Sequence, residues 1–66
     1  MQSIASLLIQ YWSKIEPILS KTLNSVDFRS LVIAKRAGLN SLIDWLLTHP
    51  DIVKVIKIIL GKYVGL

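Results

Sequence analysis

The residues best suited to a binding role lie near the C-terminus, where three lysines are set among aliphatic side chains. Lys54, Lys57 and Lys62 fall within residues 51–63, which otherwise contain a single acid and mostly apolar residues. On a helix of about 100° per residue, these lysines lie opposite one apolar stripe. The stripe consists of Ile52, Val53, Ile56, Ile59, Leu60 and Tyr63. Ile58 falls between Lys54 and Lys62, so the cationic face is itself partly hydrophobic.

This mixed face has two interpretations. A cationic helix face that also carries apolar side chains is typical of a segment that binds an anionic membrane. Alternatively, the segment is an ordinary C-terminal helix docked on a small core, and its extra aliphatic residues form a contact between two copies of the chain.

The remaining basic residues add to a net charge of +4, which anionic lipid, nucleic acid or an acidic protein could explain. We expect Arg29, Lys35 and Arg36 to help attract an anionic membrane, although Lys35 and Arg36 would also complement the dipole at a helix C-terminus. Trp12 and Trp45 both border apolar stripes. They are therefore either core residues or side chains that settle at the lipid headgroups.

Residues able to support catalysis or metal binding are few and scattered. The chain contains no cysteine and a single histidine, His49, and its four carboxylates are not clustered. It has no glycine-rich phosphate loop and no serine at an interpretable spacing from His49. We therefore predict that the protein is not an enzyme and takes no metal, other cofactor or small-molecule substrate. His49 precedes Pro50 and is expected to lie in a surface loop.

Length and composition predict one domain over residues 1–66. A chain of this size buries only about 60% of the surface that it exposes when unfolded. Leu, Ile and Val nevertheless make up 26 of the 66 residues, which is more apolar surface than a small monomer readily hides. Residues 1–13 are uncharged, but they are too short for a membrane-spanning helix of about 20 residues. They also lack the basic start and cleavage pattern of a secretory signal, so we expect either a cytoplasmic protein or export without a cleaved leader.

Apolar periodicity predicts helices throughout the chain. The first covers residues 3–15, with Pro17 either kinking it or starting a new helix that ends near Asn24. Asp27 is the predicted N-cap of a helix over residues 28–37.

Turn residues predict the remaining boundaries. Gly38 should close the helix before it in the left-handed conformation, and Asn40 or Ser41 should cap a helix over residues 41–48. Pro50 then forces a break before the last helix. The expected fold is an all-α compact bundle of four to five short helices.

The C-terminal part of the chain resembles a known family of antimicrobial proteins. Residues 38–45 have the sequence GLNSLIDW and precede a Lys- and Ile-rich helix that contains Gly61, and residues 64–66 read VGL. This arrangement is similar to that of the leaderless class II bacteriocins of the aureocin and lacticin type. The resemblance implies a Cys-free, saposin-like bundle that permeabilises bacterial membranes. Compared with that family, the present chain is longer and less basic.

A second resemblance is to helix-turn-helix repressors. Residues 33–41, with the sequence IAKRAGLNS, are similar to the first helix and turn of that motif, and Ala34 and Gly38 have its spacing. Ile43 falls five rather than six positions after the glycine. The helix in the recognition position carries Asp44 but no arginine or lysine to contact bases or phosphates. This resemblance implies a cytoplasmic DNA-binding regulator.

The favoured prediction is a secreted bacteriocin that binds and permeabilises anionic bacterial membranes, with homo-oligomers as a possible form. The alternative is a small cytoplasmic helical module, either a DNA-binding regulator or a dimerising interaction domain. The predicted membrane-binding residues are Trp12, Arg29, Lys35, Arg36, Trp45, Lys54, Lys57, Ile58 and Lys62.

Overall fold

Five α-helices, joined by connections of one or two residues, form the computed structural model, which describes residues 2–64. The helices are α1 (Gln2–Gln10), α2 (Trp12–Thr22), α3 (Ser25–Ala37), α4 (Leu39–Leu47) and α5 (Pro50–Val64). Residues 2–64 contain no β-strand. The predicted all-α bundle of four to five short helices is therefore confirmed.

All five helices contribute to a single apolar core. Helix α4 packs against α1, α3 and α5, and α2 packs against the same three helices. Among residues 2–64, no polar or charged side chain is buried. The buried residues are Ala5, Leu8, Ile15, Leu19, Leu31, Leu42, Trp45, Leu46, Ile52, Val53, Ile56, Ile59 and Leu60. The predicted stripe of α5 is thus buried except for Tyr63, which is 40% exposed near the helix end.

The predicted single helix over residues 3–15 is wrong, because the chain bends at Tyr11. This residue has φ −102° and ψ 15° and separates α1 from α2, whereas Pro17 lies inside α2. A straight helix over residues 2–22 would be about 31 Å long. The largest dimension of the molecule is only 26 Å. A straight helix would therefore project beyond the other helices, and the bend keeps Leu8 and Ile15 in one core.

The start of α3 also differs from the prediction. Its N-cap is Asn24 rather than Asp27: the side-chain oxygen of Asn24 accepts a hydrogen bond from the backbone N–H of Asp27 at 2.8 Å. The Asn24 amide in turn donates to the Asp27 carboxylate at 3.0 Å. This reciprocal pair is a variant of the capping box, which places the acid at the third helical position. Helix α3 consequently begins at Ser25, three residues earlier than predicted.

Gly38 alone forms the junction between α3 and α4. Its N–H donates to the carbonyl of Lys35 at 3.3 Å, and its own carbonyl accepts from Leu42 N–H at 3.0 Å. The predicted positive φ is confirmed at 118°, but ψ is 174°, which is extended rather than left-handed helical. Because Gly38 caps both helices, α4 starts at Leu39, and neither of the predicted caps, Asn40 and Ser41, fills that role.

The break before the last helix is confirmed at Pro50. Proline occupies the first position of α5. A backbone N–H at this position has no acceptor within the helix, so proline, which lacks the N–H, costs no hydrogen bond here. The carbonyl of His49 accepts hydrogen bonds from Ile52 and Val53, each at 3.1 Å. The chain therefore turns from α4 into α5 through two residues only, Thr48 and His49.

The backbone conformation of Gly38 leads to a prediction that distinguishes extended backbone at positive φ from the left-handed helical conformation. Nothing lies within 4 Å of a Cβ built at this position, so any loss on substitution is a backbone effect. Gly38→Ala should lower the free energy of unfolding by about 1 to 3 kcal/mol, because this extended region at positive φ is essentially restricted to glycine. Gly38→Asn should lose a similar amount, although asparagine tolerates the left-handed helical region. Urea unfolding measures both variants, and recovery of wild-type stability by asparagine would contradict this geometry.

Candidate membrane-binding surface

The outer face of α5 carries three of the predicted binding lysines and one aliphatic residue. Lys54, Lys57 and Lys62 are exposed, and Ile58 is 68% exposed. Lys54 and Lys62 lie one turn before and one turn after Ile58, each about 6 Å away along the helix axis. We call these four residues the α5 lysine face. These residues face outward because the apolar residues on the opposite side of α5 are buried in the core.

The positive charges of this surface are not neutralised within the bundle. No lysine or arginine side chain takes part in a hydrogen bond or ion pair among residues 2–64. Helix α5 has one acid, Asp51, which lies in its first turn, where a carboxylate is stabilised by the helix dipole. The lysines are therefore available to an external anion.

The other predicted basic residues lie on a different helix and do not extend the α5 lysine face. Arg29 and Arg36 are exposed on α3, which packs mainly on α4 and also on α2. Lys35 is half-buried, and its Nζ lies 5.2 Å from the centroid of the Trp12 ring. At this distance the ammonium makes a cation–π interaction. Lys35 therefore helps to join α3 to α2.

The two tryptophans occupy different environments. Trp12 is half-buried, with its ring parallel to that of Phe28 at a centroid distance of 6.4 Å. Trp45 is only 8% exposed, and its Nε1 donates to Ser30 Oγ at 2.7 Å. In the folded bundle Trp45 is therefore a core residue and lies outside any surface that a membrane could reach. A headgroup position for Trp45 requires the bundle to open.

His49 covers the ring of Trp45. The two rings are stacked with centroids 3.9 Å apart and planes inclined by 11°. His49 Nδ1 lies 2.7 Å from the Trp45 carbonyl and 2.9 Å from Thr48 Oγ1. Because a carbonyl can only accept, Nδ1 carries a proton in this arrangement. His49 is in the predicted connection, but it is half-buried and closes the core over Trp45, which the sequence did not indicate.

Several exposed aliphatic residues were not predicted as surface features. Val26 and Ile33 on α3 are 76% and 62% exposed, and Leu47 at the end of α4 is 60% exposed. Val26 and Ile33 are seven residues apart, which places them on the same side of α3. That spacing is visible in the sequence and could have identified them.

Residues 2–64 were compared with the requirements for a metal site and for a membrane span. No group of three or more His, Cys, Asp or Glu side chains in this range is placed to hold a metal ion. Each helix in the range is too short or too polar to cross a bilayer. Comparison with known protein families, curated proteins and solved structures finds no match to this chain.

The different burial of the two tryptophans can be measured by fluorescence. Trp12→Phe leaves Trp45 as the only tryptophan, and its emission in buffer should be blue-shifted and poorly quenched by acrylamide, since the core and His49 cover the ring. Trp45→Phe leaves Trp12, which should be quenched more strongly. Equal quenching of the two single-tryptophan proteins, at full helix content, would show that the core is not closed around Trp45 in solution.

Proposed function

We propose that the protein is an antimicrobial polypeptide that binds anionic bacterial membranes and permeabilises them. The observation that carries this proposal is the α5 lysine face, in which Ile58 stands exposed among three lysines that make no ion pair within residues 2–64. An anionic lipid surface offers both interactions that this face lacks within the bundle, namely negative charge for the lysines and an apolar interior for the isoleucine. The similarity of residues 38–45 to the leaderless bacteriocins supports the same function.

Attachment is the first step of the proposed mechanism. Each basic residue near an anionic membrane contributes about 1 kcal/mol of attraction, within a Debye length of about 10 Å at 0.1 M salt. Insertion of Ile58 into the acyl boundary adds about 1.5 to 3 kcal/mol. Neither interaction requires a change in the fold, because all four side chains are already exposed.

Opening of the bundle is the second step, in which helix–helix contacts are exchanged for lipid contacts. The core of residues 2–64 holds only apolar residues, so its transfer into acyl chains would leave no buried polar or charged residue without a partner. Within residues 2–64, the one side-chain hydrogen bond made by a core residue is that of Trp45 with Ser30. Once released, the Trp45 ring is suited to the headgroup level, where its N–H is solvated. Helices that have turned their apolar sides to lipid would then disturb the bilayer.

The DNA-binding alternative receives less support from the α3–α4 region. The junction there is the single residue Gly38, whereas a helix-turn-helix motif uses a turn of about three or four residues. The exposed residues of α4 include Asn40, Ser41 and Asp44 but no basic residue. Such a helix would bring negative charge to the phosphates.

The position of the lysines can be tested with two double variants of equal charge. Lys54→Gln with Lys57→Gln should weaken binding to phosphatidylglycerol vesicles by about 2 kcal/mol at low salt and reduce dye leakage, because it removes two charges from the α5 lysine face. Lys14→Gln with Lys21→Gln removes two exposed charges from α2 and is the matched control. If both pairs weaken binding equally, only the net charge matters and the assigned face is wrong. Circular dichroism should show unchanged helix content in both.

Ile58 provides a test of insertion that is independent of charge. Ile58→Ser should reduce leakage from the same vesicles and leave the melting temperature unchanged, because the side chain makes little contact with the core. Leu47→Ser, at a similarly exposed aliphatic residue outside the face, should leave leakage unchanged. A lower melting temperature with undiminished leakage would instead place Ile58 at a contact between two copies, as the interaction-module alternative requires.

A further inference from the structure

We infer that the outer face of α3 is a second lipid-binding face, on which Arg29 and Arg36 hold the phosphate groups of anionic phospholipids while Val26 and Ile33 enter the acyl boundary. We call these four residues the α3 arginine face. The inference rests on the proposed function and assigns to the chain a headgroup-specific contact in addition to the general attraction by lysines.

The four residues form one continuous strip along the helix. Each aliphatic residue is followed three positions later by an arginine, and the pair repeats after seven residues: Val26 with Arg29, then Ile33 with Arg36. All four side chains are exposed, and the buried residue of α3, Leu31, lies on the opposite side. A seven-residue repeat spans about 10 Å along a helix. The two arginines are therefore far enough apart to bind two different phosphates.

Basic residue types are divided between the two faces. The chain has only two arginines, and both lie on the α3 arginine face, whereas the α5 lysine face contains lysine only. A guanidinium group donates two parallel hydrogen bonds to a phosphate, while an ammonium acts as a compact point charge. Neither arginine donates to another side chain within residues 2–64. The structure thus leaves its two planar phosphate-binding groups open on one side of one helix.

The residues around Arg29 provide groups that a phospholipid headgroup could contact, which an isolated surface arginine would not have. Arg29 and Ser25 lie where two shallow grooves meet. One groove is also lined by Val26, Ser30 and Ile33, and the other by Ser20, Phe28 and Val32. Arg29 therefore shares these grooves with the hydroxyls of Ser25 and Ser30, which can donate to phosphate oxygens, and with apolar side chains, which can contact the start of an acyl chain. The Ser20 hydroxyl is already engaged, because it donates to the Pro17 carbonyl at 2.9 Å.

Lipid phosphate fits this face better than nucleic-acid phosphate does. Interfaces with nucleic acid are polar and strongly positive, and proteins that hold single strands stack bases on aromatic rings. The α3 arginine face instead alternates its arginines with two of the most exposed aliphatic residues of the described chain. The two cationic faces belong to different helices, since the arginines lie on α3 and the three lysines on α5.

The contact can be observed directly because arginine labelling marks only this face. The full-length chain, with 13C-labelled arginine, is bound to phosphatidylglycerol–phosphatidylcholine vesicles, and solid-state NMR measures dipolar coupling between the guanidinium carbon and lipid 31P. Coupling at hydrogen-bonding range is expected. A chain that binds and permeabilises these vesicles without such coupling would overturn the inference and leave the proposed function standing. A chain that does not bind them would overturn both.

Charge-preserving variants provide the functional test. Arg29→Lys with Arg36→Lys keeps the net charge but should weaken partitioning into phosphatidylglycerol vesicles by about tenfold, because the bidentate phosphate bonds are lost. Lys14→Arg with Lys21→Arg, at exposed lysines of α2 outside both faces, is the matched control and should leave partitioning unchanged. Thermal melts of both variants should equal that of the wild type. Unchanged partitioning of the arginine variant, or a loss of duplex DNA binding in place of vesicle binding, would contradict the assignment to lipid.

Discussion

Packing of α4 against α1, α3 and α5 is the interaction on which the rest of the structure depends. Leu42, Trp45 and Leu46 are buried in the middle of this short helix, which carries a single charge, that of Asp44. Each neighbouring helix directs its apolar side to the core that α4 helps to form. The opposite side of α3 and of α5 must then face solvent. The positions of the two cationic faces follow from this constraint.

Local patterns in the sequence predict most of the fold. They fail where a helix boundary depends on the size of the whole molecule. Helical periodicity correctly predicts the buried face of α5 except for Tyr63, and Gly38 and Pro50 correctly predict two of the four connections. The bend at Tyr11 was missed because the core positions before and after it have the spacing of one uninterrupted helix. Only the dimensions of the bundle, which depend on all five helices, exclude a straight one. These core positions are Ala5, Leu8, Ile15 and Leu19.

The candidate site shows the same division between local and non-local information. The α5 lysine face depends on helical spacing alone and could be read from the sequence. Trp12 and Trp45 could not be distinguished, because both border apolar stripes. Their difference comes from residues that other segments supply: Ser30 on α3 binds the indole of Trp45, and His49 covers its ring. On α3, Arg29 and Arg36 are predicted as membrane-binding residues, but that prediction does not use their seven-residue repeat with Val26 and Ile33, which places all four on one face.

The free energies of membrane attachment and of bundle opening have different sources. A 66-residue domain is stable by roughly 3 to 10 kcal/mol. Three lysines and Ile58 together contribute roughly 5 kcal/mol at an anionic surface, which is of the same order. These side chains are already exposed in the closed bundle, however, so they interact with lipid equally before and after opening. A ligand shifts a conformational equilibrium only through contacts that differ between the two states. In the proposed mechanism, the α5 lysine face therefore determines membrane attachment, whereas opening is driven by lipid contacts of the core residues that the closed bundle hides.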